Sequence, residues 1–202
     1  MIESIAPFAL VLSGITAGII IVSDDFRIRI TVLALQYICV AILVSLSIPL
    51  RLGIIKLITG LIVVLIFGLT NRYRRYVDKE IGGRGLPTGW FFKILAVLLV
   101  STSALGIGGI RFLKLPGIPT MSIASSILLM GLGLLQLGLT EQTFGIGIGL
   151  LTLMSGFEII YSFLEPSLAV MGLIASIHVG IAIVISILEV DVKMPQDLES
   201  LE

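Results

Sequence analysis

Seven apolar runs separated by short polar breaks pattern this chain: Ile5 to Val22, Ile28 to Ile48, Gly53 to Thr70, Trp90 to Gly109, Thr120 to Leu139, Thr143 to Phe163 and Ser167 to Leu188. Each run is about 20 residues, and at about 1.5 Å of rise per residue that matches a hydrocarbon core of roughly 30 Å. Lipid offers the backbone no hydrogen-bond partners, and the runs lack the polar-apolar alternation of barrel strands, so the pattern predicts helices. The breaks hold residues that end helices or resist burial: Asp24 and Asp25, Pro49 and Arg51, Pro116 and Pro119, Glu141 and Gln142, and Pro166. The last two runs, joined at Leu164, Glu165 and Pro166, predict a membrane hairpin. The expected fold is all-α, a polytopic bundle of seven transmembrane helices.

One connection is long and polar, NRYRRYVDKEIGGRGLPTG, with Arg72, Arg74, Arg75, Lys79 and Arg84. It divides the chain into an N-terminal three-helix segment with its basic loop (1–89), a C-terminal four-helix segment (90–188) and an acidic tail (189–202). With seven spans, this cluster shares one side with Arg27, Arg29, Lys93 and Lys193, against Arg51, Arg111 and Lys114 opposite. The positive-inside rule then places the amino terminus outside and the carboxyl terminus in the cytoplasm, in a multi-pass plasma or internal energy-transducing membrane. Glu3 stands where a secretory signal would carry positive charge, and the apolar run continues to Val22, so the first run reads as a retained span.

Composition narrows the function classes. Apolar residues make up 57% and charged residues 13% of the chain, with a mean hydropathy of +1.17, whereas soluble domains are about 25% charged. Thirteen basic and thirteen acidic residues cancel, and no basic block suits nucleic acid. The lone Cys39 permits no intramolecular disulfide and no thiolate metal cluster, and it reads as a small buried apolar side chain. GIGIG and GIGG have no strand-turn-helix context and are not phosphate loops. Instead Gly145, Gly149 and Gly156, Gly131 with Gly138, and Gly172 with Gly180 recur at spacings that flatten a helix face, which predicts close packing of the last three spans.

Against this background the ionisable residues inside the runs stand out, because each costs on the order of 2.5 to 3.5 kcal/mol to insert. On straight helices Lys56 and Glu158 both lie about 8 Å below the outer boundary, level with one another. They are expected to pair between the third and sixth spans; the alternative is that Lys56 snorkels outward. His178, the single histidine, lies about 16 Å deep by the same count. It can donate to a backbone carbonyl, Ser176, Gln36 or Gln136, or serve as a proton-relay member. The level difference of about 8 Å from Glu158 rules out a direct hydrogen bond between them, so a relay would need water. No metal-ligand set and no catalytic constellation is present, and the chain does not read as an enzyme by itself. Lys56, Glu158, His178, Gln36 and Ser176 are the candidate buried polar or proton-path residues.

Four stretches carry a resemblance: LALQY at Leu33 to Tyr37, Lys56 with the apolar run ending at Asn71 and Arg72, FGIGIGLL at Phe144 to Leu151, and GLIASIHVGIAIVI at Gly172 to Ile185. Through them the chain resembles the hydrogenase-4 component E family, whose carboxyl half is similar to the small 4L-type subunit of respiratory complex I and to its counterpart in multisubunit sodium/proton antiporters. The resemblance implies a membrane-arm subunit of an ion-pumping redox complex, beside large antiporter-like partners, with electron carriers and cofactors held by other subunits. The family's two buried carboxylates fall here on Gly149 and Ser176, neither of which holds a proton. Either the proton path is re-routed through Lys56, Glu158 and His178, or the subunit mainly holds its neighbours together. A self-contained small transporter, or a non-conducting membrane scaffold, are the other readings.

Overall fold

The computed structural model describes residues 2–45, 50–77, 89–108 and 118–191. Seven α-helices account for them: α1 (Ile2–Val22), α2 (Phe26–Ser45), α3 (Leu50–Val77), α4 (Trp90–Gly108), α5 (Thr120–Leu139), α6 (Thr143–Leu164) and α7 (Leu168–Asp191). No strand occurs among the described residues. Helices α2 to α7 are each long and apolar enough to cross a membrane; the apolar part of α1, Ala6–Val22, is shorter. Pro49, Lys79, Arg84, Gly109, Arg111, Lys114, Pro116 and the tail beyond Asp191 lie outside the described residues.

Several helix boundaries differ from the apolar runs, and two of them show why. The end of an apolar run marks where lipid ends, and a helix continues beyond it when its residues favour helix and its polar groups reach headgroups or water. Thus α3 passes Thr70 and runs on to Val77. At its start α2 takes in Arg27 and Arg29, with Asp25 as the cap: its Oδ1 accepts from the Arg27 N–H at 2.9 Å.

The helices form two layers. In one, α1, α2 and α3 pack in chain order; in the other, α4, α5, α6 and α7 do the same. Across the interface α1 lies on α4 and α5, α2 on α6, and α3 on α7. The closest seam is α5 against α6, and glycine makes it possible. A Cβ at Gly133 would sit 2.6 Å from the Leu153 backbone nitrogen, and one at Gly156 would sit 2.7 Å from that of Met130. Ser126 locks the seam by donating to the Gly156 carbonyl. The other expected glycine faces divide. A Cβ at Gly149 would touch Gln136, and one at Gly131 would touch Val100 of α4, but nothing lies within 4 Å of a Cβ at Gly138, Gly172 or Gly180. The tight packing expected for the last three spans therefore holds for α5 and α6, while a Cβ at either glycine of α7 would meet none of the described residues within 4 Å.

Along α2, α3, α6 and α7 the core is split by depth. One apolar cluster takes Val40, Leu43, Leu52, Ile159, Met171 and Ile174; another takes Leu33, Val63, Phe67, Leu151, Ala182 and Ile185. Between them each helix buries polar residues: Gln36 on α2, Lys56 on α3, Thr152, Ser155 and Glu158 on α6, and His178 on α7.

Candidate functional site

Lys56 is the centre of this polar layer. It is 1% exposed, six residues into α3, and is held off lipid by helices on three sides. Its ammonium donates to the Glu158 carboxylate of α6, to Ser155 Oγ at 3.3 Å and towards His178 Nε2 of α7 at 3.2 Å. The Tyr37 ring of α2 covers it, 4.6 Å from Nζ to the ring centroid, and meets the His178 ring edge-on at 6.0 Å. A lysine ammonium has three donors, and three acceptors surround this one. The aromatic face supplies a further cation-attracting surface where no hydrogen bond is left to make.

The histidine tautomer follows from its partners. His178 Nδ1 lies 2.9 Å from the Ile174 carbonyl one turn earlier; a carbonyl only accepts, so Nδ1 carries the hydrogen. Nε2 then holds a free lone pair and accepts from Lys56. The layer thus consists of a lysine-glutamate ion pair and a neutral imidazole that shares the lysine. Isolated in an apolar interior, each charge would be expelled or neutralised; joined, they offset one another's desolvation.

The structure brings Lys56 and Glu158 together in a buried salt bridge, so Lys56 does not snorkel. It also places His178 Nε2 only 3.7 Å from Glu158 Oε2, which corrects the expected separation by depth. The count along straight helices tracked backbones and ignored side-chain direction. Every Cα–Cβ bond tilts towards its helix's N-terminus. In the antiparallel pair α6 and α7, Glu158 therefore leans away from the connecting turn and His178 towards it, and the two converge. At that distance the two do not hydrogen-bond to each other, as expected; Lys56 joins them by bonding to both.

The other candidates are not part of this cluster. Ser176 is exposed on α7, with its hydroxyl donating to the Gly172 carbonyl at 2.9 Å. Gln136 donates to the Gly145 carbonyl at 3.4 Å. Gln36 is 1% exposed, and its amide has no hydrogen-bond partner among the described residues. Sequence reasoning did not single out Ser155, Tyr37 or the Ile174 carbonyl. Two of them were signalled by helical spacing: Ser155 precedes Glu158 by three residues and Ile174 precedes His178 by four, so each shares a face with its partner. Tyr37 had no such signal, since only tertiary packing brings α2 against α3 and α7.

A second polar group closes the end of the bundle where α1 meets α2. Asp24 Oδ1 accepts from Lys93 Nζ of α4 at 2.7 Å and from Arg29 of α2 at 3.4 Å; Arg29 Nε also donates to the Ser23 carbonyl at 2.6 Å. At the same end Phe144 stacks on Phe26, with ring centroids 3.7 Å apart, and meets Phe67 edge-on at 4.8 Å. These rings separate the lysine cluster from the basic end between α2, α3 and α6. No group of three His, Cys, Asp or Glu among the described residues is placed to hold a metal ion.

Fold and site together define a multi-pass helical membrane protein with a buried charge cluster. No family model, curated protein or solved structure matches the chain.

Proposed function

We propose that this chain is an integral membrane subunit of a complex I-like or membrane-bound hydrogenase-like ion-translocating redox assembly, and that its lysine-centred cluster contributes to the assembly's proton or sodium path. The observation that carries this reading is the meeting of Lys56, Glu158 and His178, from three helices, around one ammonium in an apolar interior. Such residues inside membranes mark ion and proton pathways or pair to hold helices together. A proton passed from Lys56 to His178 Nε2 needs no rearrangement of the backbone, and Glu158 is near enough to stabilise the imidazolium that results. The assembly itself is supported by the resemblance of LALQY, FGIGIGLL and GLIASIHVGIAIVI to the hydrogenase-4 component E family. In it the partners would be large antiporter-like subunits, and the basic end would face the cytoplasm.

A purely bracing role is favoured by a specific observation: all three ammonium donors of Lys56 are engaged, and Lys56, Glu158 and His178 are all buried. The self-contained transporter has less support: the discontinuous helix that would favour it is suggested in the sequence by the paired glycines from Gly106 to Gly109, and α4 is helical as far as Gly108, the last residue described there. Pumping stoichiometry in assembled complexes carrying Glu158→Gln or His178→Ala separates the readings. A fall with the complex intact supports the path; unchanged stoichiometry leaves both residues as braces. Purification of the wild type alone, with solute transport in liposomes, would remove the subunit reading altogether.

A further inference from the structure

A groove of about 590 Å³ runs between α1 and α4, floored by Leu128 of α5 and lined almost wholly by apolar side chains, among them Leu10, Ile15, Ile94, Val97 and Leu105. It is present because α1 approaches α4 through glycine at Gly18, where a Cβ would meet Val97 at 3.2 Å, and approaches α5 at Gly14, where a Cβ would meet Leu128 at 2.9 Å. Gly14 and Gly18 themselves line the groove, and the side chains they lack leave its space open. On α4 the lining extends from Ile94 to Leu105, about 17 Å along the axis at 1.5 Å per residue. That is close to one leaflet, half of the roughly 30 Å hydrocarbon core.

The groove is chemically asymmetric along its length. Towards Leu10 and Leu105 it is apolar. Its other end reaches Val22, Ser23 and Ile28, beside the carboxylate of Asp24. That single carboxylate, with a side chain 78% exposed, is shared by Arg29 and Lys93, whose side chains are 6% and 11% exposed. Asp25 caps α2 and keeps its charge, so the three cations Arg27, Arg29 and Lys93 outnumber the two carboxylates at this level by one. Trp90, Phe91 and Phe92 at the start of α4 are all exposed, as aromatic residues at the headgroup level are.

We propose that this groove holds one acyl chain of an anionic bilayer phospholipid, with its phosphate at Arg29 and Lys93. The match lies in leaflet-deep length, apolar walls and a surplus of cation where the headgroup falls. A second transmembrane helix fits less well: it would need a face running through both leaflets, and the small residues that would admit it are turned onto Leu128 and Val97. The inference is independent of any ion path.

The test uses the full chain reconstituted in phosphatidylcholine vesicles containing phosphatidylglycerol, extracted into mild detergent and weighed intact by native mass spectrometry. One retained phosphatidylglycerol is expected on the wild type. Ser101→Phe, which fills the groove, is expected to abolish retention, with Ser101→Leu as the gentler version if the first does not fold. Lys93→Gln is expected to reduce the preference for phosphatidylglycerol over phosphatidylcholine about fivefold, the worth of one basic residue at a lipid surface. A wild type without bound lipid, retention unchanged in the groove-filling variant, or equal preference for the two lipids before substitution would each overturn the proposal. So would a protein rather than a lipid adduct from a photo-crosslinker at Val97.

Discussion

His178 Nε2 lies 3.2 Å from Lys56 Nζ, and this contact between α3 and α7 fixes the protonation pattern of the whole polar layer. With Nδ1 committed to the Ile174 carbonyl, the ring approaches the ammonium with its lone pair. Nitrogen-15 spectra of labelled protein are expected to show one histidine, protonated at Nδ1 and bare at Nε2. A proton found on Nε2 would break the proposed geometry, since two donors would then face each other.

Removing one partner of the Lys56–Glu158 pair strands the other in an apolar interior. Lys56→Met or Glu158→Leu alone is expected to destabilise the protein by about 3 to 5 kcal/mol. The double variant, which strands no charge, is expected to regain most of that loss. Unfolding in mixed micelles measures all three, and equal losses in the single and double variants would show that the two residues do not act as a pair.

The α5–α6 seam leaves no room for a methyl group at two positions. Gly133→Ala and Gly156→Ala each place a Cβ against backbone rather than against a flexible side chain, with an expected loss of about 1 to 3 kcal/mol. Gly172→Ala and Gly180→Ala meet open space and are expected to leave the melting temperature unchanged or slightly raised, as alanine is the better helix former. Thermal unfolding of the four variants checks the contrast.

Gln36 is buried with an amide unpaired among the described residues. A buried polar group without a partner costs about 1 to 3 kcal/mol. Gln36→Leu, similar in size, is therefore expected to stabilise the isolated protein. A marked loss of stability would instead reveal that the amide is hydrogen-bonded in the membrane.

Much of this molecule is legible in its sequence. Lipid removes every backbone partner except the helix's own, so apolar runs of bilayer length dictate α1 to α7 with little ambiguity. Asp25 signals the start of α2, and Pro119 the start of α5. The pairing of Lys56 with Glu158 can be anticipated because two opposite charges at one depth have few alternatives to each other. The position of His178 relative to them cannot, as counting residues gives the level of a backbone and not the direction of its side chain.

What the sequence by itself determined is the set of helices and which residues would be out of place in lipid, because both follow from the solvent and from rise per residue. Only the tertiary structure decided that α3, α6 and α7 turn those residues onto one ammonium, that Tyr37 covers it, and that Gly133 and Gly156 rather than Gly172 and Gly180 draw helices together. The reason is physical: nearly uniform apolar helices carry almost no record of which face meets which neighbour. That choice is made by the fit of side chains across the interfaces, and a linear pattern does not contain it.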